Sequence, residues 1–155
     1  MSLKDRITED MKAAMRARAP ERLGAIRMLL AAIKQREVDE RIVLDDSQVI
    51  ATVERLIKQR KDSIEQFGKA GRTDLVDKES AELALLQGYL PQAMGEAEVA
   101  AAIDAAIAEV RAAAGVDAAL APSAMGKVMA LLKPRLAGRA DMSKVSAQVK
   151  SRIAG

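Results

Sequence analysis

The chain has 155 residues, a net charge of +3 and an apolar half, but only two aromatic side chains, Phe67 and Tyr89, and neither cysteine nor histidine. That length fits one full domain, or a larger one with a small companion. The missing residue types exclude disulfides, thiol nucleophiles, imidazole acid–base chemistry and the usual zinc ligand sets, and a core of Leu, Ile, Val, Met and Ala favours helix packing over a β-sandwich.

The hydrophobic pattern is helical throughout. Leu3, Ile7, Met11 and Met15 recur every four residues, and Ser2 and Asp5 are spaced as a capping pair in front of them. Pro20 suits the first position of a second helix, where its missing N–H would have no partner anyway. Leu23, Ile26, Leu30 and Ile33 carry that helix to about Glu40. A third helix opens at "LDDSQVI", with Asp45 as cap and Gln48 reaching back to it. Its stripe is Val49, Val53, Leu56, Ile57, Ile64 and Phe67, and it ends near Gly68 and Gly71. A fourth places Leu75, Glu79, Leu83 and Leu86 on one side.

Gly88, Pro91 and Gly95 then punctuate the chain within eight positions, which reads as a helix end, a hinge and a restart. The composition changes there. Residues 96–121 are alanine-rich and acidic, with Glu96, Glu98, Asp104, Glu109 and Asp117 against Arg111. From Pro122 onward Lys127, Lys133, Arg135, Arg139, Lys144, Lys150 and Arg152 face only Asp141. Three short helices are expected in this part. The first spans about Glu96 to Ala114, with Val99, Ile103, Ile107 and Val110 inward; the second carries Met125, Val128, Met129, Leu132 and Leu136. The third starts at an Asp141 cap and carries Met142, Val145, Val149 and Ile153. The expectation is therefore an all-α fold, with a longer N-terminal helical domain over 1–90 hinged to a C-terminal three-helix bundle over 91–155. No stretch approaches the ~18 consecutive apolar residues of a membrane helix, and "MSLKDRITED" is too charged for a secretory leader, so no membrane is expected and the cytoplasm is the default location.

Few side chains here carry chemistry. Asp45 and Asp46 could bind a metal, but a helix start that needs an acceptor explains them, and no metal site is expected. In "VERLIKQRKDSIEQF" the acids and bases stand four apart (Glu54 before Lys58, Lys58 before Asp62, Lys61 before Glu65), which reads as a paired, solvated face; "IKQREVDERI" reads likewise. Ser63, Ser80, Ser123, Ser143 and Ser146 coexist with many lysines, yet no strained Gly-x-Ser-x-Gly turn or phosphate-cradling loop sets one up as a nucleophile. No catalytic residue and no cofactor are assigned.

The exception is "MGKVMALLKPRLAGRADMSKV", Met125 to Val145. Lys127, Lys133 and Arg135 have no acid three or four positions away. Pro134 should kink or end the helix by clashing with the carbonyl of Ala130. Gly138 is placed to close it in a left-handed turn, bringing Arg139 and the start of the last helix beside Lys133 and Arg135. Gly126 would permit a close approach by another backbone, or close packing of a neighbouring helix. Cations beside a helix N-terminus suit phosphate, and a merely basic exterior accounts for the same residues equally well. The scarcity of aromatics argues against stacking on single strands and for shape and phosphate contacts to structured RNA, with no DNA specificity.

Three segments, "ERLGAIRMLLAAIKQREVDER", "KQRKDSIEQFGKAGRTDLVDKESAELALLQGYLPQ" and "MGKVMALLKPRLAGRADMSKVSAQVKSRI", closely resemble the YqeY-like proteins. These are similar in turn to the C-terminal helical and tail region of the B subunit of the glutamine-dependent aspartyl/glutamyl-tRNA amidotransferase. The resemblance implies two helical domains joined at Tyr89–Leu90–Pro91. It implies a tail associated with tRNA recognition, and the family label of carbon–nitrogen ligase with glutamine as amido-N-donor. The parts of the amidotransferase that perform that reaction have no counterpart in this chain. What the resemblance supports is a non-catalytic module that binds tRNA, or assists a tRNA-processing or aminoacylation enzyme, through Gly126, Lys127, Lys133, Arg135, Gly138 and Arg139. A protein–protein adaptor that uses "RMLLAAI", and an auxiliary amidotransferase component working with a separate glutaminase subunit, are the alternatives.

Overall fold

The computed structural model describes residues 1–114 and 124–154; Asp117, Pro122 and Ser123 lie outside the described residues. Among the described residues there are seven α-helices and no strand: α1 Leu3–Arg16, α2 Pro20–Glu40, α3 Asp46–Lys69, α4 Thr73–Gln87, α5 Glu96–Ala114, α6 Ala124–Leu136 and α7 Met142–Ala154. The chain divides into two compact units, Met1–Leu90 and Pro91–Gly155.

The helix starts in the first unit follow local chemistry. Ser2 and Asp5 form a reciprocal capping box on α1, and Asp45 and Gln48 form another on α3. Each box satisfies two backbone N–H groups that the helix leaves without partners. Asp46 has a second role that spacing could not reveal: its Oδ1 accepts the Leu3 N–H at 2.9 Å and so tethers the start of α1 to that of α3. Pro20 occupies the first turn of α2.

Helices α1 and α2 pack as one pair and α3 and α4 as another, over a shared core that includes Ile7, Ile26, Leu29, Ile33, Val49, Val53 and Leu86. The expected stripe of α1 drifts. A spacing of four advances about 400° around the helix, so the two steps from Ile7 carry Met15 about 80° off its line. Met15 is 49% exposed, and Ala14, seven residues after Ile7, takes the buried place. Tyr89 closes this core from the far end of the unit, with its ring beneath the Arg6 guanidinium (5.4 Å to the centroid) and its hydroxyl donating to Asp10 at 2.7 Å.

Buried charge ties the corner between α2 and α3. Glu37 is buried and accepts from Lys4 Nζ at 2.5 Å and from the Leu44 N–H at 3.1 Å. These two bonds hold its carboxyl below the ordinary carboxylate range. Arg36 reaches Glu40, the Gln48 carbonyl and Thr52.

The solvated-face reading of α3 needs correction at Arg60. Its side chain is only 13% exposed, lies 2.9 Å from Glu82 and 3.2 Å from Glu79 on α4, and touches the Met28 sulfur on α2. Acids on the next helix are invisible to a count of neighbours four positions away.

The second unit packs α5 on α6 and α6 on α7 around Val99, Ile103, Ile107, Val128, Leu132, Leu136, Val145 and Val149. Pro134 does not end α6, which continues to Leu136. The proline stands in the last turn, so the missing N–H deletes only one hydrogen bond close to the helix end. Gly138 has φ 70°, as expected for the residue that closes the helix. Its counterpart after α3 is Gly71, also at φ 70°, whereas α1 and α2 close with Arg18 at φ 52° and Arg41 at φ 55°. For a residue with a Cβ that conformation costs about 1–2 kcal/mol.

Candidate functional site

The basic segment falls on α6 and the turn after it. One face of α6 is fixed by the core: Val128, Leu132 and Leu136 are buried four apart. At 100° per residue the opposite face carries Gly126, Lys127, Ala130, Lys133 and Pro134, all of them exposed. Lys127 and Lys133 form no ion pair with any of the described residues. A Cβ built on Gly126 would meet nothing within 4 Å, so close packing of a neighbouring helix is not what a glycine serves at this position. Gly126 stands in the first turn of α6. It leaves a shallow strip of small residues between two free lysines.

Arg135 and Arg139 belong to a different part of the surface. Arg135 lies around the helix from the lysines and pairs with Glu109 of α5 at 2.8 Å. The guanidinium holds the Glu109 carboxyl below its ordinary range, and the carboxylate pushes the Arg135 pKa further up. The absence of acids at three or four positions along the chain therefore does not leave Arg135 unpaired. Arg139 is partly buried; its Nε donates to the Gln92 carbonyl at 3.1 Å while its own carbonyl accepts the Met94 N–H at 2.9 Å. Gly138 sets the turn that makes this two-way tie possible. Arg152 is occupied as well, by the Asp104 carboxylate and the Ala100 carbonyl.

Sequence reasoning passed over two features of the first unit. An open groove of about 1100 Å³ runs between α2 and α4, floored by Ala25, Met28, Ala81 and Leu85. Two of its acids are paired, Asp74 with Arg72 and Glu82 with Arg60, and its other acids, Glu21 and Asp77, share the lining with Arg22 and Lys78. The other is the run "MRARAPER" at the turn from α1 to α2, in which Arg16, Arg18 and Arg22 are all exposed. Three arginines in seven residues with one acid, Glu21, were there to be seen. No helix among the described residues is long and apolar enough to cross a membrane, and no cluster of acids among them is arranged to hold a metal ion.

Comparison with known proteins gives the chain its relatives. The family model described as Yqey-like protein matches residues 4–153. A protein of Pyrenophora tritici-repentis named "Altered inheritance of mitochondria protein 41, mitochondrial" is 33% identical over 141 residues, 90% of this chain and 76% of the relative. Proteins of the same name from Eremothecium gossypii and Lachancea thermotolerans are 43% and 40% identical over 103 and 100 residues. The matches span 56% and 54% of those two relatives, so the chain corresponds to little more than half of their length.

These relatives overturn the cytoplasmic expectation, because their names include "mitochondrial". A charged, amphipathic helical segment carries no signal that separates one aqueous compartment from another. The resemblance read from the three sequence segments stands, and this chain belongs to the YqeY-like protein family.

Proposed function

We propose that the protein is a non-catalytic module that binds tRNA or another structured RNA through the face of α6. The observation that carries this reading is the exposed strip of Gly126, Lys127 and Lys133, where two unpaired cations flank a position at which another backbone can come close. The lysines stand six residues apart, or about 9 Å along the helix axis, and can meet two separate phosphates. Arg135, Gly138 and Arg139 border the strip. Arg135 pairs its charge with Glu109 and Arg139 is held by a hydrogen bond to the Gln92 carbonyl, so their share in binding is smaller than that of the lysines. With two aromatic residues in the whole chain, recognition would go by shape and phosphates rather than by stacking.

The test is a salt series of binding to unfractionated tRNA, with duplex DNA of equal length as control. Lys127→Gln/Lys133→Gln should lower the slope of log affinity against log salt by roughly 1.5. An unchanged slope in a folded variant would remove the lysines from the site. Equal, weak binding of the wild type to both nucleic acids would leave only a basic exterior.

A protein–protein adaptor is the second reading. Its support extends from "RMLLAAI", where Leu29 is fully buried while Met28 is exposed beside Arg60, to the corner after α2. There Val38, Ile42 and Val43 are 58%, 38% and 80% exposed. Partners retained by the immobilised protein after RNase treatment, and lost on Val43→Lys, would favour the adaptor.

A further inference from the structure

We propose that the turn from α1 to α2 is a second RNA-contacting surface, in which Arg16, Arg18 and Arg22 meet the phosphate backbone of the same structured RNA; this rests on the RNA-binding reading of α6. The three arginines are exposed and form no ion pair among the described residues, although Arg36, Arg60, Arg72, Arg135 and Arg152 each find a carboxylate. Glu21 is the only acid between positions 11 and 36; Arg22 also borders the groove that carries Asp77 of α4, so Arg16 and Arg18 supply most of the turn's positive charge.

Arg18 adds an independent observation. It closes α1 in the left-handed conformation, with its N–H on the Met15 carbonyl at 3.2 Å and the Ala19 N–H on the Ala14 carbonyl at 3.1 Å. Gly71 and Gly138 occupy the same conformation after α3 and α6 without steric cost. Strain kept where a glycine would remove it points to a use for the side chain. A favourable charge at the end of the helix does not require Arg18, since Arg16 already supplies it in the last turn.

The surroundings suit RNA better than a lipid surface. Arg18 lines an open recess of about 270 Å³ together with Ala14, Met15, Ala19, Pro20 and Leu23. Such a recess can receive the apolar face of a sugar while the arginines hold the flanking phosphates. Met15 is the one strongly exposed large apolar side chain at this turn, which is too little apolar surface for stable insertion into a bilayer.

The experiment uses the full chain, unfractionated tRNA and, in parallel, vesicles of phosphatidylcholine with phosphatidylserine, each over a salt series. Arg16→Gln/Arg18→Gln/Arg22→Gln should reduce the salt slope for tRNA by roughly 2–3, and Arg18→Gly alone by about 1. Because Arg18→Gly relieves backbone strain, its melting temperature should hold or rise while its affinity falls, a combination that a purely structural role would not give. An unaltered slope in the triple variant, with a reduced one in Lys127→Gln/Lys133→Gln, overturns this inference and leaves α6 as the site. A reduced slope in the triple variant alone supports this surface and removes the α6 face. Binding to vesicles that the triple variant abolishes, with tRNA affinity unchanged, reassigns the turn to lipid and overturns the inference. No tRNA binding by the wild type ends both readings.

Discussion

Replacing Leu132 by alanine should destabilise the second unit strongly while the first keeps its stability. Leu132 is fully buried on α6, in a core built from aliphatic side chains without a single ring. Losing three carbon groups forfeits about 2.4 kcal/mol of transfer free energy, and the cavity left behind brings the cost to roughly 3–4 kcal/mol. A unit of about 65 residues, 91–155, has on the order of 3–10 kcal/mol of stability in total. The substitution therefore removes a third or more of it. Hydrogen exchange read by mass spectrometry should show α5, α6 and α7 losing protection, with α1 to α4 near wild-type rates, and urea titration should resolve an early transition absent from the parent. If α1 to α4 lost protection in step, the two units would be one cooperative structure. If α5 to α7 kept theirs, the estimate of a thin aliphatic core would be wrong.

Other expectations can be measured on the same preparations. Arg18→Gly should stabilise the first unit by about 0.5–1 kcal/mol, or roughly 2–6 °C in a thermal melt, by removing left-handed strain. Asp45→Ala should cost about 1 kcal/mol in urea titration, since it opens the capping box of α3. Tyr89→Phe should cost about 1–1.5 kcal/mol at neutral pH, because Asp10 loses its buried donor. Burial and Asp10 raise the Tyr89 pKa above its ordinary 10.0, so the phenol's contribution is complete below pH 10 and fades as pH climbs above it. The alkaline fall in melting temperature should be weaker in Tyr89→Phe. At the acid end Asp5, Glu37, Asp74 and Glu109 are all held below their ordinary values of 3.8 or 4.5. Their contribution is full above about pH 4.5 and is lost as pH falls through their lowered pKa values. Glu37→Gln should therefore flatten the acid limb of a stability profile, and an unchanged limb would show that the Lys4 pair does not titrate with folding.

Some of the site was legible in the chain and some was not, for identifiable reasons. The left-handed Gly138 and the exposed Lys127 and Lys133 followed from periodicity and from the glycine's position past an apolar run. The partners of Arg135 and Arg139 did not. Glu109 stands 26 positions before Arg135 and Gln92 stands 47 before Arg139, so no local count of charges can find them. Arg60 was misread for the same reason, its partners Glu79 and Glu82 lying on the next helix.

What the sequence determined by itself is the set of elements: seven helices, their starts at Ser2, Pro20 and Asp45, and most of the side chains that turn inward. Those features depend on contacts within four or five residues, where capping and the 3.6-residue repeat act. Only the tertiary structure decided which charges are free. Arg135 and Arg60 are engaged because other helices bring a carboxylate to them, and Arg139 because the segment before α5 brings it a carbonyl, while no described residue pairs with Lys127, Lys133 or Arg18. Whether a cation is available to a ligand depends on what stands within about 4 Å of it in space, and distance along the chain does not set that.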